Sequence, residues 1–401
     1  MKSHAKRMLL VFVVSLGAVL PGSAQQKRAM TPEDVIALRQ VSGAEISPDG
    51  KWVAYVVSTN DMKEDAANPD IWLVSTSGGQ AVQLTTSEKA DTSPRWSPDG
   101  KTLGFISARD GKPQVYLISP FGGEASKLTD SKTGVESFSW SPDGSRIAYV
   151  ARQELTKEEE QKEKDKDDTI VVDHNFRMNH IWVIDVKTKK SNELVKGDYS
   201  ASDPQWSPDG RTLAFVTTPT PKADDSEATD IWTIGVESGN PKKLTDNPGT
   251  DAAPRWSPDG TKIAYLSHDD TEGLIGQVHL MTMSPDGGGK HQIAPGFKYQ
   301  PGAATWSPDG ALIYFTSEVG TTSQIFSIPS AGGEVKQISH VEDAAIGPVT
   351  FSKDASAVAF TKSDFQHPDD IYVVMSLASF QPQKLSNHNP QVEGFDLGRG
   401  D

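Results

Sequence analysis

RWSPDG occupies Arg95–Gly100 and returns unchanged at Arg255–Gly260. Close copies end at Gly144, Gly210 and Gly310, and a weaker one, ISPDG, ends at Gly50. The residue types spell a tight turn. Proline fixes φ near −65° at the second turn position, aspartate suits the third, and glycine accepts a positive φ without steric cost. Serine bonds the local backbone. The aromatic residue closes the preceding strand, where it can pack between neighbouring sheets.

Aligned on this turn, seven units begin at Ile46, Trp96, Trp140, Trp206, Trp256, Trp306 and Phe351, spaced 50, 44, 66, 50, 50 and 45 residues apart. The seventh, FSKDAS, lacks the proline and glycine but keeps its place. A further SPDG at Ser284–Gly287 falls too soon after its predecessor and belongs to another part of its unit. After each turn comes an apolar run such as WVAYVV from Trp52 or KIAYLS from Lys262. A third run follows, as in DIWLVS from Asp70 or DIWTIG from Asp230, and a short fourth ends at Thr85, Thr129, Thr245 or Ser386. These runs are four to six residues long, rich in β-branched and aromatic side chains, and bounded by Gly, Pro, Asp and Ser. That pattern reads as strands. Four strands recurring every ~45–50 residues specify a β-propeller. The expected fold is all-β: a seven-bladed propeller of four-stranded blades over residues 43–386, with a short N-terminal helix in segment 25–42 and a C-terminal segment 387–401.

Topology sorts the two faces. The first–second and third–fourth turns lie on one face and are tight. The second–third loops, the blade-to-blade loops and both chain ends lie on the other, so ligand and partner contacts are expected there. The helix start is legible in MTPEDVIALRQV, with Thr31 as N-cap, Pro32 at the first helical position and Asp34 three residues after the cap.

Composition narrows the partners. The chain has 401 residues, 54 acidic against 39 basic side chains, and no cysteine. Lys2, Lys6 and Arg7, the apolar run Met8–Leu20 and the small residues Gly22–Ala24 read as a signal peptide over residues 1–24, too short for a membrane span. Removing its three basic residues takes the net charge from −15 to −18. An exported, periplasmic destination follows, with no membrane span. Nucleic acid and anionic membrane surfaces are poor partners for so acidic a chain. Without cysteine there are no disulfides or thiolate metal sites.

The largest insertion runs from about Arg152 to Asn179, between the second and third strands of blade three. Its charge run Lys157–Asp168 reads as a solvated loop. Beyond it, Asp173, His174, Arg177 and His180 stand close together in sequence and are the candidate residues facing substrate or partner. His174 and His180 lack a third ligand at convincing spacing, and the recurring turn aspartates read as turn residues, so neither metal nor cofactor is expected. No Gly-x-Ser-x-Gly elbow, H-E-x-x-H or phosphate loop occurs. The chain is therefore expected to be non-catalytic by itself.

The leader, MTPEDVIALRQVSGAEISPDGKWVAYVVS, the WSPDG blades and the closing KLSNHNPQVEGFDLG together resemble the N-terminal half of a prolyl oligopeptidase family serine peptidase, in the acylaminoacyl-peptidase and dipeptidyl-aminopeptidase branch. The likeness spans residues 30–397. It implies a propeller that limits access to an α/β-hydrolase domain following it, with peptides as substrates. The helix at Thr31–Arg39 would pack on that domain, and an apolar patch is expected on the long-loop face. No triad residue can be placed in these 401 residues, so the hydrolase domain is expected to be absent from them. The other reading is a free-standing periplasmic propeller for protein binding or scaffolding, like that of the Tol system. That protein carries a sizeable domain ahead of its propeller, whereas about 20 residues stand between the leader and the first blade here.

Overall fold

The computed structural model describes residues 27–398 apart from 64, 167–175, 223–224, 226–227 and 269–275. The leader read at residues 1–24 therefore lies outside the described residues. Seven antiparallel sheets follow one another along the chain, over residues 40–83, 91–127, 137–195, 200–243, 251–292, 305–337 and 344–384. Each contains four consecutive strands in sequence order. In the seventh the innermost strand is split into Ala344–Ile346 and Thr350–Phe351, both paired with Val358–Asp364. The result is the seven-bladed propeller that the repeat predicts. Ser284–Gly287 falls between the third and fourth strands of blade five, as its spacing requires.

The core lies between blades. Second strands are buried on both sides, which is why they read as continuous apolar runs rather than alternating ones. One wedge joins Ala54, Val56, Ile71 and Leu73 of blade one to Trp96, Leu103, Phe105 and Tyr116 of blade two. The last wedge joins Val53, Tyr55 and Val57 of blade one to Ala357, Ala359, Ile371 and Val373 of blade seven. Each fully buried large apolar side chain contributes about 1.5–3 kcal/mol.

The turn chemistry is uniform. In all seven units the serine hydroxyl donates to the aspartate two residues on, at 2.6–2.8 Å. The glycine N–H returns to the serine carbonyl, with glycine φ near +70°. Ala355 takes that place in blade seven at φ +52°. The serine hydroxyl and the following backbone N–H hold the Asp143 and Asp259 carboxyls down to about 2. Each turn carboxylate is thus engaged within its own turn.

The aromatic residue does more than fill space. Trp96 Nε1 donates to the Glu45 carbonyl at 2.9 Å, Trp140 to Arg95, Trp206 to Ser139, Trp256 to Gln205 and Trp306 to Arg255. In every case the acceptor is the residue just before the aromatic or Ile46 of the preceding blade. The indole staples blade to blade. A hydroxyl just after the fourth strand works within five of the seven sheets: Thr85, Thr129, Thr245, Ser339 and Ser386 accept from the N–H of Ile71, Val115, Ile231, Ile325 and Ile371.

One segment of the ring differs from its sequence reading. The charge run after Arg152 is not a loop throughout, because Lys157–Lys164 is helical. Thr156 and Glu159 exchange hydrogen bonds as a capping box, and Lys162 pairs with Glu158 one turn back. These local terms suffice for two turns without an apolar face. The helix at Pro32–Ile36, in contrast, forms where its cap predicts, with Thr31 and Asp34 bonded reciprocally.

Replacing Trp96 by Phe should lower the stability of the ring by at least about 1–2 kcal/mol in urea unfolding, since the Glu45 carbonyl loses its donor and the smaller ring leaves a gap between the blades. An unchanged midpoint would mean that the indole staple contributes nothing.

Candidate functional site

Two places combine space with polar groups: the central channel and a groove where the chain ends meet. The channel has a volume of about 1390 Å³ and is lined by the first strands. Its wall is shaped by β-bulges. In blades one, two, four and five the first-strand register shifts at Ser42/Glu45, Thr92/Arg95, Ser202/Gln205 and Ala252/Arg255. Within each bulge one residue has positive φ: Gly43, Ser93, Asp203 or Ala253. A bulge re-aims the side chains that follow it. It leaves Glu45, Arg95, Gln205 and Arg255 along the channel. The prolines at 94, 204 and 254 mark these bulges, because proline cannot donate to a ladder. That signal was present in the sequence and unread.

The channel charges are paired across blades. Arg95 donates to the carboxylate of Glu45, and Arg255 to Asp203 at 2.9 Å. Burial pushes the Glu45 carboxyl up, and Arg95 opposes the rise. Each pair links one blade to the one before it, so the lining is polar yet balanced in charge.

The groove has a volume of about 880 Å³. Met30, Val35 and Leu38 of the N-terminal segment form one wall, and Phe365 in the 363–369 loop of blade seven forms the other. Val35 is 55% exposed and Phe365 65%. Met62, on the second–third hairpin of blade one, is 63% exposed on the same face. Asn60 of that hairpin bonds the Ile36 carbonyl and fixes the helix against blade one.

The groove sits beside the seam where the ring closes. Among the described residues no strand crosses this seam, since blade one and blade seven each use only their own residues. Side chains replace the ladder. Asn389 receives the Arg39 N–H and donates to the Arg39 carbonyl, both at 2.8 Å. Farther out, Arg28 bonds Gly394 and Asp396 through its backbone, and its guanidinium lies over the Phe395 ring. The C-terminal stretch, which the sequence reading left without structure, forms this clasp with a short 3-10 turn at Pro390–Gly394. Both described ends thus lie together. His388 is packed between Tyr55 and Trp72, and its Nε2 lies 2.9 Å from the Tyr55 hydroxyl.

Of the four candidate residues in the blade-three insertion, Asp173 and His174 lie outside the described residues. Arg177 and His180 meet at Gln153. The Arg177 guanidinium donates to the Gln153 carbonyl, and the Gln153 amide approaches His180 Nε2 at 3.1 Å. His180 is buried at 5% exposure, with Nδ1 2.7 Å from Glu193. It holds the third-strand position taken by Asp70 in blade one and Asp230 in blade four. Among the described residues, no group of three or more His, Asp or Glu has metal-site geometry, and no helix is long and apolar enough to cross a membrane.

Comparison with known proteins fits this geometry. Residues 32–175 and 163–302 match the family model described as the TolB beta propeller domain. Dipeptidyl-peptidase 5 of Porphyromonas gingivalis is 26% identical over 92% of this chain and 57% of its own length. The uncharacterized peptidase YuxL of Bacillus subtilis is 42% identical over 85 residues, 21% of this chain and 13% of that protein. The chain thus spans little more than half of the first relative and far less of the second. Among solved structures, the acylaminoacyl peptidase of Pyrococcus horikoshii superposes with a TM-score of 0.69 at 17% identity, covering 92% of this chain and 55% of that one. That likeness establishes the shared fold.

Burial pushes His388 below its ordinary value of 6.5. Protonation then favours the unfolded chain, so the contribution is complete above about pH 6.5 and is lost as pH falls through the lowered folded value. Urea midpoints of the wild-type chain should therefore drop more between pH 7.5 and 5 than those of His388→Gln. Parallel profiles would remove His388 from the acid response of the seam.

Proposed function

The chain belongs to the TolB β-propeller family, and from that membership we propose that it is the substrate-gating propeller of an exported serine peptidase of the prolyl oligopeptidase family. The functional model is the acylaminoacyl- and dipeptidyl-peptidase branch, acting on peptides. The observation that carries the reading is an alignment to dipeptidyl-peptidase 5 that runs through 92% of the chain. The geometry agrees. Both described ends leave the ring together on the long-loop face, beside a groove whose apolar walls stand open to solvent. An α/β-hydrolase domain is the partner this face suits: an uncovered apolar patch marks an interface, and a domain joined at the clasped end would sit over the channel mouth. Peptides would reach it through or beside the channel. The insertion in blade three, rooted by Arg177 and His180 on Gln153, would bring Asp173 and His174 to the same face as substrate contacts. The leader motif supports export, to the periplasm.

Catalysis would belong to the hydrolase domain, because these 401 residues contain no Gly-x-Ser-x-Gly elbow to raise a serine nucleophile. The purified 401-residue chain should leave dipeptidyl and acylaminoacyl chromogenic substrates intact. Joined to a hydrolase domain, it should confer turnover of short peptides and not of folded proteins. Phe365→Asp with Val35→Asp should uncouple that pairing while leaving the thermal midpoint of the propeller nearly unchanged, because both side chains are exposed. Hydrolysis by the 401 residues alone, abolished by a serine-directed inhibitor, would overturn the assignment.

A further inference from the structure

Blades one and two and blades four and five form equivalent junctions, and residues 70–109 align with 230–269 without a gap. Asp70 matches Asp230, Thr85 matches Thr245, Asp91 matches Asp251 and Ser107 matches Ser267. Both junctions bury carboxylates between adjacent blades, but only the first sets a cation directly against the aspartate of the later blade.

In the first junction the cation is internal. Arg109 donates to Asp91 Oδ2 at 2.8 Å and lies over the Phe105 and Tyr116 rings. Asp70 accepts from Thr85 and from the Gln83 amide. Asp91 is fully buried, and the guanidinium beside it offsets its charge.

In the second junction that cation is gone. Asp251 is 1% exposed, and neither of its carboxylate oxygens has a well-formed hydrogen bond. Asp230 Oδ1 is also buried and unpartnered, while Lys243 engages only Oδ2, at 2.7 Å. The two strands are locked in register: Asp251 N donates to the Thr229 carbonyl, and the Thr229 hydroxyl donates to the Asp251 carbonyl. The Thr245 and Ser267 hydroxyls face the Asp251 carboxylate. The sequence aligns Asp269 with Arg109, and residues 268–277 contain no lysine or arginine. Lys290, the other base near this junction, pairs with Asp246.

An uncompensated buried carboxylate costs several kcal/mol and does not persist without a proton or a cation. The donors around these carboxylates are oxygens: two on Asp251 and one on Asp230, with the hydroxyls of Thr245 and Ser267, whose oxygens also accept from the Ile231 N–H and the Asn247 amide. Such a hard, oxygen-only and partly anionic set suits calcium, which accepts about 6–8 oxygens in flexible geometry, and suits magnesium less because magnesium demands a near-ideal octahedron. We propose that the blade-four/blade-five junction is a calcium site, in which Asp251 and Asp230 with Thr245 and Ser267 bind the ion that takes the structural place of Arg109 in the blade-one/blade-two junction. It is a structural site, formed by residues outside the channel lining, that would link stability of the ring to extracytoplasmic calcium.

The test uses the whole chain, stripped with a chelator and returned to calcium, magnesium or sodium chloride at constant ionic strength. Calcium should raise the thermal midpoint, with half-effect between about 0.1 and 1 mM, as for extracellular calcium modules. Sodium should not. Terbium should give sensitised emission on excitation of the neighbouring Tyr265, displaced by calcium, and this readout needs no variant. Asp251→Asn should abolish the calcium-dependent rise. Ser267→Ala, which removes one neutral ligand, should weaken calcium several-fold and serves if Asp251→Asn does not fold. A midpoint indifferent to calcium together with no displaceable terbium emission would overturn the proposal. So would a calcium response unchanged in both variants, and so would stability that rises on acidification to pH 5 with no calcium effect, since that would identify a proton as the counter-charge.

Discussion

The ring rests on a constraint that falls between blades rather than within them. A four-stranded sheet satisfies its own ladder but presents two apolar faces, so each blade needs a neighbour on both sides. Burial alone would let neighbouring sheets slide. The indole N–H of one blade reaching the backbone carbonyl before the aromatic or Ile46 of the previous blade fixes the sliding coordinate. Tryptophan is suited to this because it couples the largest buried ring to a single directional donor. The turn that follows then has to start at a fixed point, and serine, proline, aspartate and glycine fix it.

The departures from the motif occur where the ring closes, and they have a common logic. Blade seven has Phe351 in place of tryptophan and Lys353 in place of proline, and blade one has Ile46. Without an indole at Ile46, the Thr350 hydroxyl bridges the seam, accepting from Ile46 N and donating to the Ala44 carbonyl. Lys353, unlike proline, has a backbone N–H, and it donates to the Pro48 carbonyl at 3.0 Å. A seam without a shared strand is thus rebuilt from single hydrogen bonds, an apolar wedge and the Asn389–Arg39 clasp. The cost appears at Ala355, which holds a left-handed conformation that its six counterparts leave to glycine.

Most of this architecture was legible because a repeat samples the same physical problem seven times. The turn, the four strands, the blade count and the cap at Thr31 all follow from local chemistry that recurs or is self-contained. What escaped was non-local. Asn387–Leu397 has no periodicity, and its structure depends on residues some 350 positions earlier, as Asn389 and Arg39 show. His180 looked like part of a functional cluster because His174 stands six residues away, yet it occupies the third-strand position that aspartate, glutamine or, in blade five, His279 fills elsewhere. The helix at Lys157–Lys164 was hidden by its lack of an apolar face, since hydrophobic period was the signal sought. The bulges that shape the channel could have been read from Pro94, Pro204 and Pro254.

The two faces of the ring differ in what they have left to offer a partner. On the tight-turn face the serine hydroxyls, the aspartate carboxylates and the glycine N–H groups are consumed within the turns, and prolines pack on the next blade's glycine, as Pro48 does on Gly100 and Pro98 on Gly144. The turn groups are thus occupied, although Phe121 and Met375 stand exposed in third–fourth turns of this face. On the opposite face, loop length is not set by a turn, both described ends converge, and Val35, Met62 and Phe365 remain in water. Such side chains are tolerated on a surface when something covers them or when their removal costs function. Because the repeat fixes the chemistry of one face, variation, insertion and recognition are confined to the other. That asymmetry, more than any single residue, is the physical ground for proposing a partner at the face that carries the groove.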